Sequence, residues 1–432
     1  EEEKEKEQEE EEASKANVSA KSEPEQSTTK KQDKEEEHMK QVKEREALMI
    51  KYPGNPYKDY EETRFAEILL KERLAVVNAD YFEKCLAAGK CFQDRANIPP
   101  EDFISGADVM EQWQDCGGKF LVIFSYAWLT AEHPDPDMYH LKRIVSILTR
   151  LKKAHDVEKI GVILDFCSLW QRGHGKNDKR TTAQLQAFKE GLKEINTPYA
   201  HKEITAVKLT SVPKEVTRKY DDRGWTLFER IIIDGKASSD NTYPGRMNVL
   251  TLDDDFDPGD ETDYYTDPGD PDNEEKYLDT DKFIEKFCSS SRTPPCTPER
   301  FELMLNGRRD RAVSKGVSLF TSGSDQPFVI DKYKAAFAEL TQAEQFDFLQ
   351  LGWGDKEVEV LSDALRYCGS LTTLQLEGNP ITEVGAKSLA AVLPSMKNLE
   401  WLNLLNTEVP DDVIKKMQAD VKETHPELYI QK

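Results

Sequence analysis

The 432-residue chain lacks any apolar run near the ~18 residues that a bilayer-spanning helix needs, so a membrane span is not expected. Basic charge is also scarce. Lys plus Arg number 59 against 82 Asp plus Glu, a net charge of −23. That balance argues against a broad basic face for duplex nucleic acid, and against an anionic membrane surface as the main partner. The seven cysteines (Cys85, Cys91, Cys116, Cys167, Cys288, Cys296 and Cys368) are odd in number and scattered, with no CxxC pair. Their spacing favours reduced thiols inside the cell, with the cytoplasm as the expected compartment, over a disulfide framework or a zinc ribbon. The seven histidines show neither HExxH nor His-x3-His spacing, so no structural metal is expected. The chain opens at Glu1 without a Met, which leaves room for a removed targeting segment.

What is present divides into blocks. Hydrophobic residues make up 38% and charged residues 33%, a globular body diluted by polar segments. Residues 1–57 form the most polar block and are expected to be a disordered acidic tail, because they cannot bury enough apolar surface to offset ordering. Residues 58–117 read as a small helical lead-in. Phe65, Ile68, Leu69, Leu74 and Val76 have roughly helical spacing, and Phe103–Trp113 reads as a further short helix. Residues 253–275 hold twelve acidic residues and no basic one, with Asp-Pro-Gly-Asp at 257 and again at 267. Turn chemistry makes this a solvated loop in preference to a calcium site, since EF-hand spacing is absent.

From Lys119 strands and helices alternate. Phe120–Phe124, Ile160–Leu164, Ile204–Leu209 and Met247–Leu252 read as buried strands. Helices are expected from Met138 to Leu151, Thr181 to Ile195 and Trp225 to Ile233, the faces of the first two being apolar. The pattern predicts a doubly wound parallel sheet over 118–252, with helices on both faces and function at the carboxyl ends of its strands. Residues 276–345 read as a helical connector. Beyond it, Phe346–Leu351, Leu371–Leu376 and Leu399–Leu404 each fit L-x-x-L-x-L, starting 25 and 28 residues apart, and Asn379 takes the ninth position of the second unit. This resembles leucine-rich repeats of the long, helix-containing kind over 346–432. The resemblance implies a short α/β solenoid with a protein-binding concave face, Asn379 satisfying backbone groups at the turn. Gly354 and Thr407 stand where the other units would carry that Asn, as terminal capping units do.

Three strings converge on the carboxyl edge of the expected sheet: Ser125-Tyr126-Ala127-Trp128, Asp165-Phe-Cys-Ser-Leu-Trp-Gln171, and Arg223-Gly-Trp225-Thr-Leu-Phe-Glu229. Trp225 and Glu229, four apart, belong on one helical face. In this order the strings resemble the motif blocks of fungal heterokaryon-incompatibility (HET) domains, themselves similar to Toll/interleukin-receptor (TIR) domains. The likeness covers roughly a third of the chain; Phe228 and Arg230 replace the Gln and Leu usual in the HET pattern.

The resemblance implies a flavodoxin-like fold. It also makes Glu229 the position of the glutamate with which some TIR domains cleave NAD⁺, here a substrate rather than a resident cofactor. A carboxylate opposite an oxocarbenium-like state is sound chemistry for that cleavage. Around it, Ser125, Tyr126, Trp128, Asp165, Arg223 and Trp225 are the candidate ligand-binding residues. Trp128 or Trp225 could stack on a ring. Asp165 either holds a ribose hydroxyl or caps the strand, and Arg223 either meets a phosphate or pairs with Asp221 or Asp222. Cys167 reads as packing, with no His partner to activate it. Two functions remain open: an adaptor or assembly subunit with a protein partner on the repeats and self-association through the TIR/HET-like domain, or an NAD⁺ glycohydrolase switched on by that self-association.

Overall fold

The computed structural model describes residues 51–173, 177–237, 248–252, 256, 288–289, 292–320 and 322–432. The expectations for residues 1–50 of the tail, for the acidic stretch 253–275 apart from Phe256, and for 276–287 lie outside the described residues; the end of the tail, 51–57, is corrected, since Tyr57 accepts from Lys202 N at 3.0 Å and from Asn196 Nδ2 at 2.9 Å. From Gly54 to Lys432 the described residues form one compact unit.

This unit is an α/β structure with two sheets. Strands β1 (Val76–Asn78), β2 (Phe103–Ile104), β3 (Leu121–Tyr126), β4 (Gly161–Ile163), β5 (Thr205–Leu209), β6 (Val249–Leu252) and the two-residue edge β7 (Cys288–Ser289) form a mostly parallel sheet of order β2-β1-β4-β3-β5-β6-β7. The four central strands are parallel: Ile123 pairs with Ile163 and with Ala206, and Leu209 with Leu252. All six residues of β3 are buried, because apolar side chains on alternate positions feed two cores. Leu121 and Ile123 face the helices Arg64–Leu70, Gly106–Cys116 and Gly224–Asp234, while Val122 and Phe124 face Ala79–Ala87 and Tyr139–His155.

Residues 58–117 are not the purely helical lead-in expected from the sequence. They supply β1 and β2, and β1 runs antiparallel to β4, with Val77 opposite Val162. Val76 therefore belongs to a strand and not to the helix face read from the sequence. The strand is only three residues long, and Asn78 ends it by accepting from Asp80 N as the cap of the next helix. A period of two has no room to show itself. The antiparallel strands at both edges also correct the expectation of a purely parallel sheet. Phe103 and Ile104 form β2, and the helix begins only at Gly106, capped by Ser105.

The second sheet is parallel throughout, with order β11-β10-β9-β8: β8 (Gln345–Asp347), β9 (Thr373–Gln375), β10 (Trp401–Asn403) and β11 (Tyr429–Gln431). Helices Asp355–Leu365, Glu383–Val392 and Asp411–Val421 alternate with the strands. Phe346, Leu374, Leu402 and Ile430 point inward into one core. The fourth strand and the last helix are absent from the three-unit sequence reading, and its first unit is three residues out of register, since Phe346 pairs with Leu374 and not with Leu371.

Asn379 does what its position implied. Its Oδ1 accepts from the backbone N–H of Leu351 and Trp353, both at 3.0 Å, and its Nδ2 donates to the carbonyls of Phe348 (2.7 Å) and Leu376 (2.9 Å). The side chain is buried, so Asn379→Ala strands four backbone groups away from water. We expect a loss of about 2–3 kcal/mol in urea unfolding. A loss within measurement error would mean that water enters and takes over these bonds.

The connector helices Pro298–Ser314 and Asp325–Leu340 pack against Gly224–Asp234, with Phe301 stacked on Tyr333 at 4.2 Å. They thus complete one face of the first core rather than bridging two bodies. Among the described residues no helix is long and apolar enough to cross a membrane.

Candidate functional site at the ends of strands β3 and β4

At the carboxyl end of β3 the buried Ser125 hydroxyl donates to Glu229 Oε2 at 2.5 Å and lies 2.6 Å from the Tyr220 hydroxyl. With Ser125 donating to Glu229, Tyr220 donates to Ser125 in turn. The Tyr199 hydroxyl donates to Phe124 O at 3.3 Å and is near enough to the Glu229 carboxyl to favour its charged form. Glu229 is half-buried, and its carboxyl is held by hydroxyls instead of a cation among the described residues. Burial raises its pKa to about 8, helped by the negative charge of Asp165, while the hydroxyls of Ser125 and Tyr199 pull the other way.

Asp165 opens a single helical turn, Asp165–Ser168, directly after β4. Its Oδ1 accepts from the Tyr126 hydroxyl at 2.6 Å and from Phe166 N at 2.7 Å, and Oδ2 accepts from Trp128 Nε1 at 3.0 Å. Burial raises its pKa despite these bonds. The Trp128 ring stands edge-on to Phe166 at 5.4 Å. Asp165 therefore fastens the loop that leaves β3 to the turn that leaves β4.

Five of the sequence candidates thus come together: Ser125, Tyr126, Trp128, Asp165 and Glu229. Two do not. Trp225 shares the Glu229 helix but turns to the connector, its Nε1 donating to Asp325 Oδ2 at 3.0 Å and its ring against Phe328 at 5.9 Å. The helix lies between sheet and connector. Gly224 at its first position lets Phe320 press so close that a Cβ there would sit 2.1 Å from that ring. Glu229, one turn on, reaches over the strand end instead.

Arg223 is the extended residue before the helix, and its Nη2 donates to Arg218 O at 3.2 Å. The expected pairing with Asp221 or Asp222 is replaced: Asp221 pairs with Arg230 at 2.8 Å, and Asp222 accepts from Lys219 N at 3.1 Å. Burial lowers the Arg223 pKa to about 10. Cys167 is fully buried with its thiol 3.3 Å from Gln93 O, and burial holds its pKa well above the ordinary thiol value, as suits packing.

Sequence reasoning missed Tyr199 and Tyr220. Tyr199 sits on the single turn Thr197–Ala200 before β5 and Tyr220 in the 3₁₀ turn before the Glu229 helix. Neither stands at a spacing that marks it, and only the folded chain brings their hydroxyls to Ser125 and Glu229. The cluster can hold one carboxyl near neutrality between its charged and uncharged forms, beside a second carboxyl whose pKa burial also raises, and perturbed carboxyls of this kind gather at working sites. Among the described residues no group of three or more His, Cys, Asp or Glu is placed to hold a metal ion. No family model, no curated protein and no solved structure matches the chain.

Proposed function

We propose that this protein works by binding other proteins: a TIR/HET-like α/β domain joined to leucine-rich repeats, serving as an adaptor or as a subunit of a larger assembly. The observation that carries the reading is the outward face of the second sheet. The strand residues opposite its leucine core are polar or aromatic, with Trp401 and Tyr429 opposite each other in register and Tyr429 57% exposed. Trp401 Nε1 donates to Gln431 at 3.1 Å, and Asn403 bonds Gln375 and Glu377, so these side chains are held in place before any partner arrives. Pre-positioned aromatic side chains are the usual anchors of a protein interface. The order of the four central parallel strands in the first sheet (second, first, third, fourth) supports the flavodoxin-like part of the reading.

The test is affinity capture with the full chain and with a Trp401→Ser/Tyr429→Ser pair. Partners that bind the wild type and fall by at least ~10-fold with the pair support the reading. Partners indifferent to the pair, with both proteins folded, remove this face as the binding surface.

A second reading, a self-association-activated NAD⁺ glycohydrolase, is favoured by one observation: Glu229 is held at a strand end by hydroxyls, not by a cation, among the described residues. An approaching pyridinium would lower its pKa and favour the carboxylate that opposes the developing cation. Trp225, turned to the connector, takes no part in this version. Trp128 is left as the candidate stacking ring.

A further inference from the structure

A second concavity lies beside the Glu229 cluster and shares one wall with it. It is a cleft of about 950 Å³ over the carboxyl ends of β5 and β6, lined in part by the start of helix Tyr139–His155 and by the segment 210–221. Tyr220, whose hydroxyl bonds Ser125, forms the common wall.

Three observations single it out. First, its charge runs against that of the chain. Six cations among the described residues line it: Lys142, Arg143, Lys208, Lys214, Lys219 and Arg230. Lys208 is matched by Asp234, and Arg230 by Asp221 at 2.8 Å. Arg143 is already engaged with the carbonyls of Tyr139 and Phe256, and the other three cations, Lys142, Lys214 and Lys219, outnumber the remaining acids on the described wall, Asp137 and Glu215, in a protein of net charge −23. Lys142, Lys214 and Lys219 are exposed.

Second, the floor carries polar groups without partners. Among the described residues the hydroxyls of Ser211 and Thr251 are buried and make no hydrogen bond. Ser211 is 5% exposed, and both residues line the cleft. A buried hydroxyl left unsatisfied costs free energy that a bound acceptor recovers.

Third, the wall is not only charged. Tyr139, Val212 and Phe256 contribute apolar and aromatic surface, and the Arg143 guanidinium lies 3.7 Å over the Tyr139 ring. The volume matches that of a small-molecule site, and the carboxyl edge of a parallel sheet is where such ligands settle.

We propose that this cleft binds a phosphorylated small molecule of nucleoside-diphosphate type. Lys142, Lys214 and Lys219 meet the phosphate charge, Ser211 and Thr251 donate to phosphate oxygens at the floor, and the Tyr139–Phe256 side takes the apolar end. No bond is made or broken. The site is separate from the outward face of the repeats, so its success or failure is independent of the function proposed above.

The test uses the full-length protein, with ADP as probe in isothermal titration. Saturable binding is expected. Lys142→Glu/Lys214→Glu, a pair of changes at exposed side chains, should weaken it at least ~10-fold, and Ser211→Ala should weaken it by ~3-fold or more at unchanged thermal midpoint. Added salt should weaken binding in the wild type more than in the double variant. The proposal is overturned if ADP fails to bind at millimolar concentration, if the charge-reversed protein binds it equally well, or if adenosine binds as tightly as ADP.

Discussion

Replacing Asp234 with alanine is expected to destabilise the protein by about 3–5 kcal/mol, the largest loss anticipated for any single side chain of the two cores and the site. Asp234 ends the Glu229 helix and is fully buried. Its Oδ1 accepts from Lys208 Nζ, and its Oδ2 accepts from Thr293 N (3.0 Å) and Thr293 Oγ1 (2.8 Å), with Arg230 Nε 3.7 Å away. Lys208 lies on the central strand β5 and is 2% exposed, and burial lowers its pKa even beside a carboxylate. Truncating Asp234 leaves that ammonium without its carboxylate in the core and removes the acceptor from both groups of Thr293. Equilibrium denaturation of Asp234→Ala measures the loss. The double replacement Lys208→Met/Asp234→Leu should recover most of it, because removing both charges also removes the cost of burying them. A single-variant loss below about 1 kcal/mol would show that water reaches the pair, and would sink the view of it as a dry ionic contact.

Glu229→Gln is expected to do the opposite at alkaline pH. The pKa of Glu229 is raised in the fold from 4.5 to about 8. Its contribution to stability is therefore complete below pH about 4.5 and is lost as pH climbs through about 8, since the fold disfavours the charged form that the unfolded chain accepts freely. The interval from 4.5 to about 8 sets a ceiling of about 5 kcal/mol, and solvent around the half-buried side chain trims that to something on the order of 2–4 kcal/mol. The glutamine variant keeps an acceptor for Ser125 and has no charge to bury. It should outlast the wild type at pH 8–9 and match it near pH 4.5, which unfolding curves across that range will read. Parallel curves at every pH would mean that Glu229 ionises as easily folded as unfolded.

The same variant separates the two proposed functions. If the glycohydrolase reading holds, nicotinamide release by concentrated protein rises with pH through about 8 and falls by at least ~10²-fold in Glu229→Gln. Wild-type protein that releases none at any pH or concentration leaves the interaction reading standing alone. Extra stability without a catalytic phenotype would make Glu229 a buried polar group whose cost serves the architecture only.

How far the sequence could be read depended on how many residues each signal occupied. The central strands were legible because short, mainly apolar segments alternate with helical ones, unbroken in Phe120–Phe124 and interrupted by Thr205 and Lys208 in Ile204–Leu209, and Asn379 because a repeated frame assigns it a place. Val76–Asn78 was not, since three residues flanked by helices carry no period. The fourth repeat strand was missed for a related reason: only Leu428 and Ile430 remain of its pattern, on either side of the exposed Tyr429. At the site, Ser125 and Asp165 were found because strand ends announce themselves, and Glu229 because its helix string resembles the TIR/HET motif. Tyr199 and Tyr220 were not, because their hydroxyls arrive from separate turns, 21 residues apart in sequence. Trp225 was misplaced because four-residue spacing fixes where a side chain leaves a helix and not which neighbour it meets.

The join between the two sheets has a mechanical meaning. Asp347 N on β8 donates to Ala237 O at 2.9 Å, three residues past the end of the Glu229 helix. Trp353 Nε1 donates to Arg292 O, and Arg292 in turn donates to the carbonyls of Asp234 and Lys236. Load applied to the repeats is therefore borne by the backbone at the carboxyl end of that helix rather than by a slack tether. A partner pulling on the outward face would work as a hand on a lever whose short arm ends one turn from Glu229.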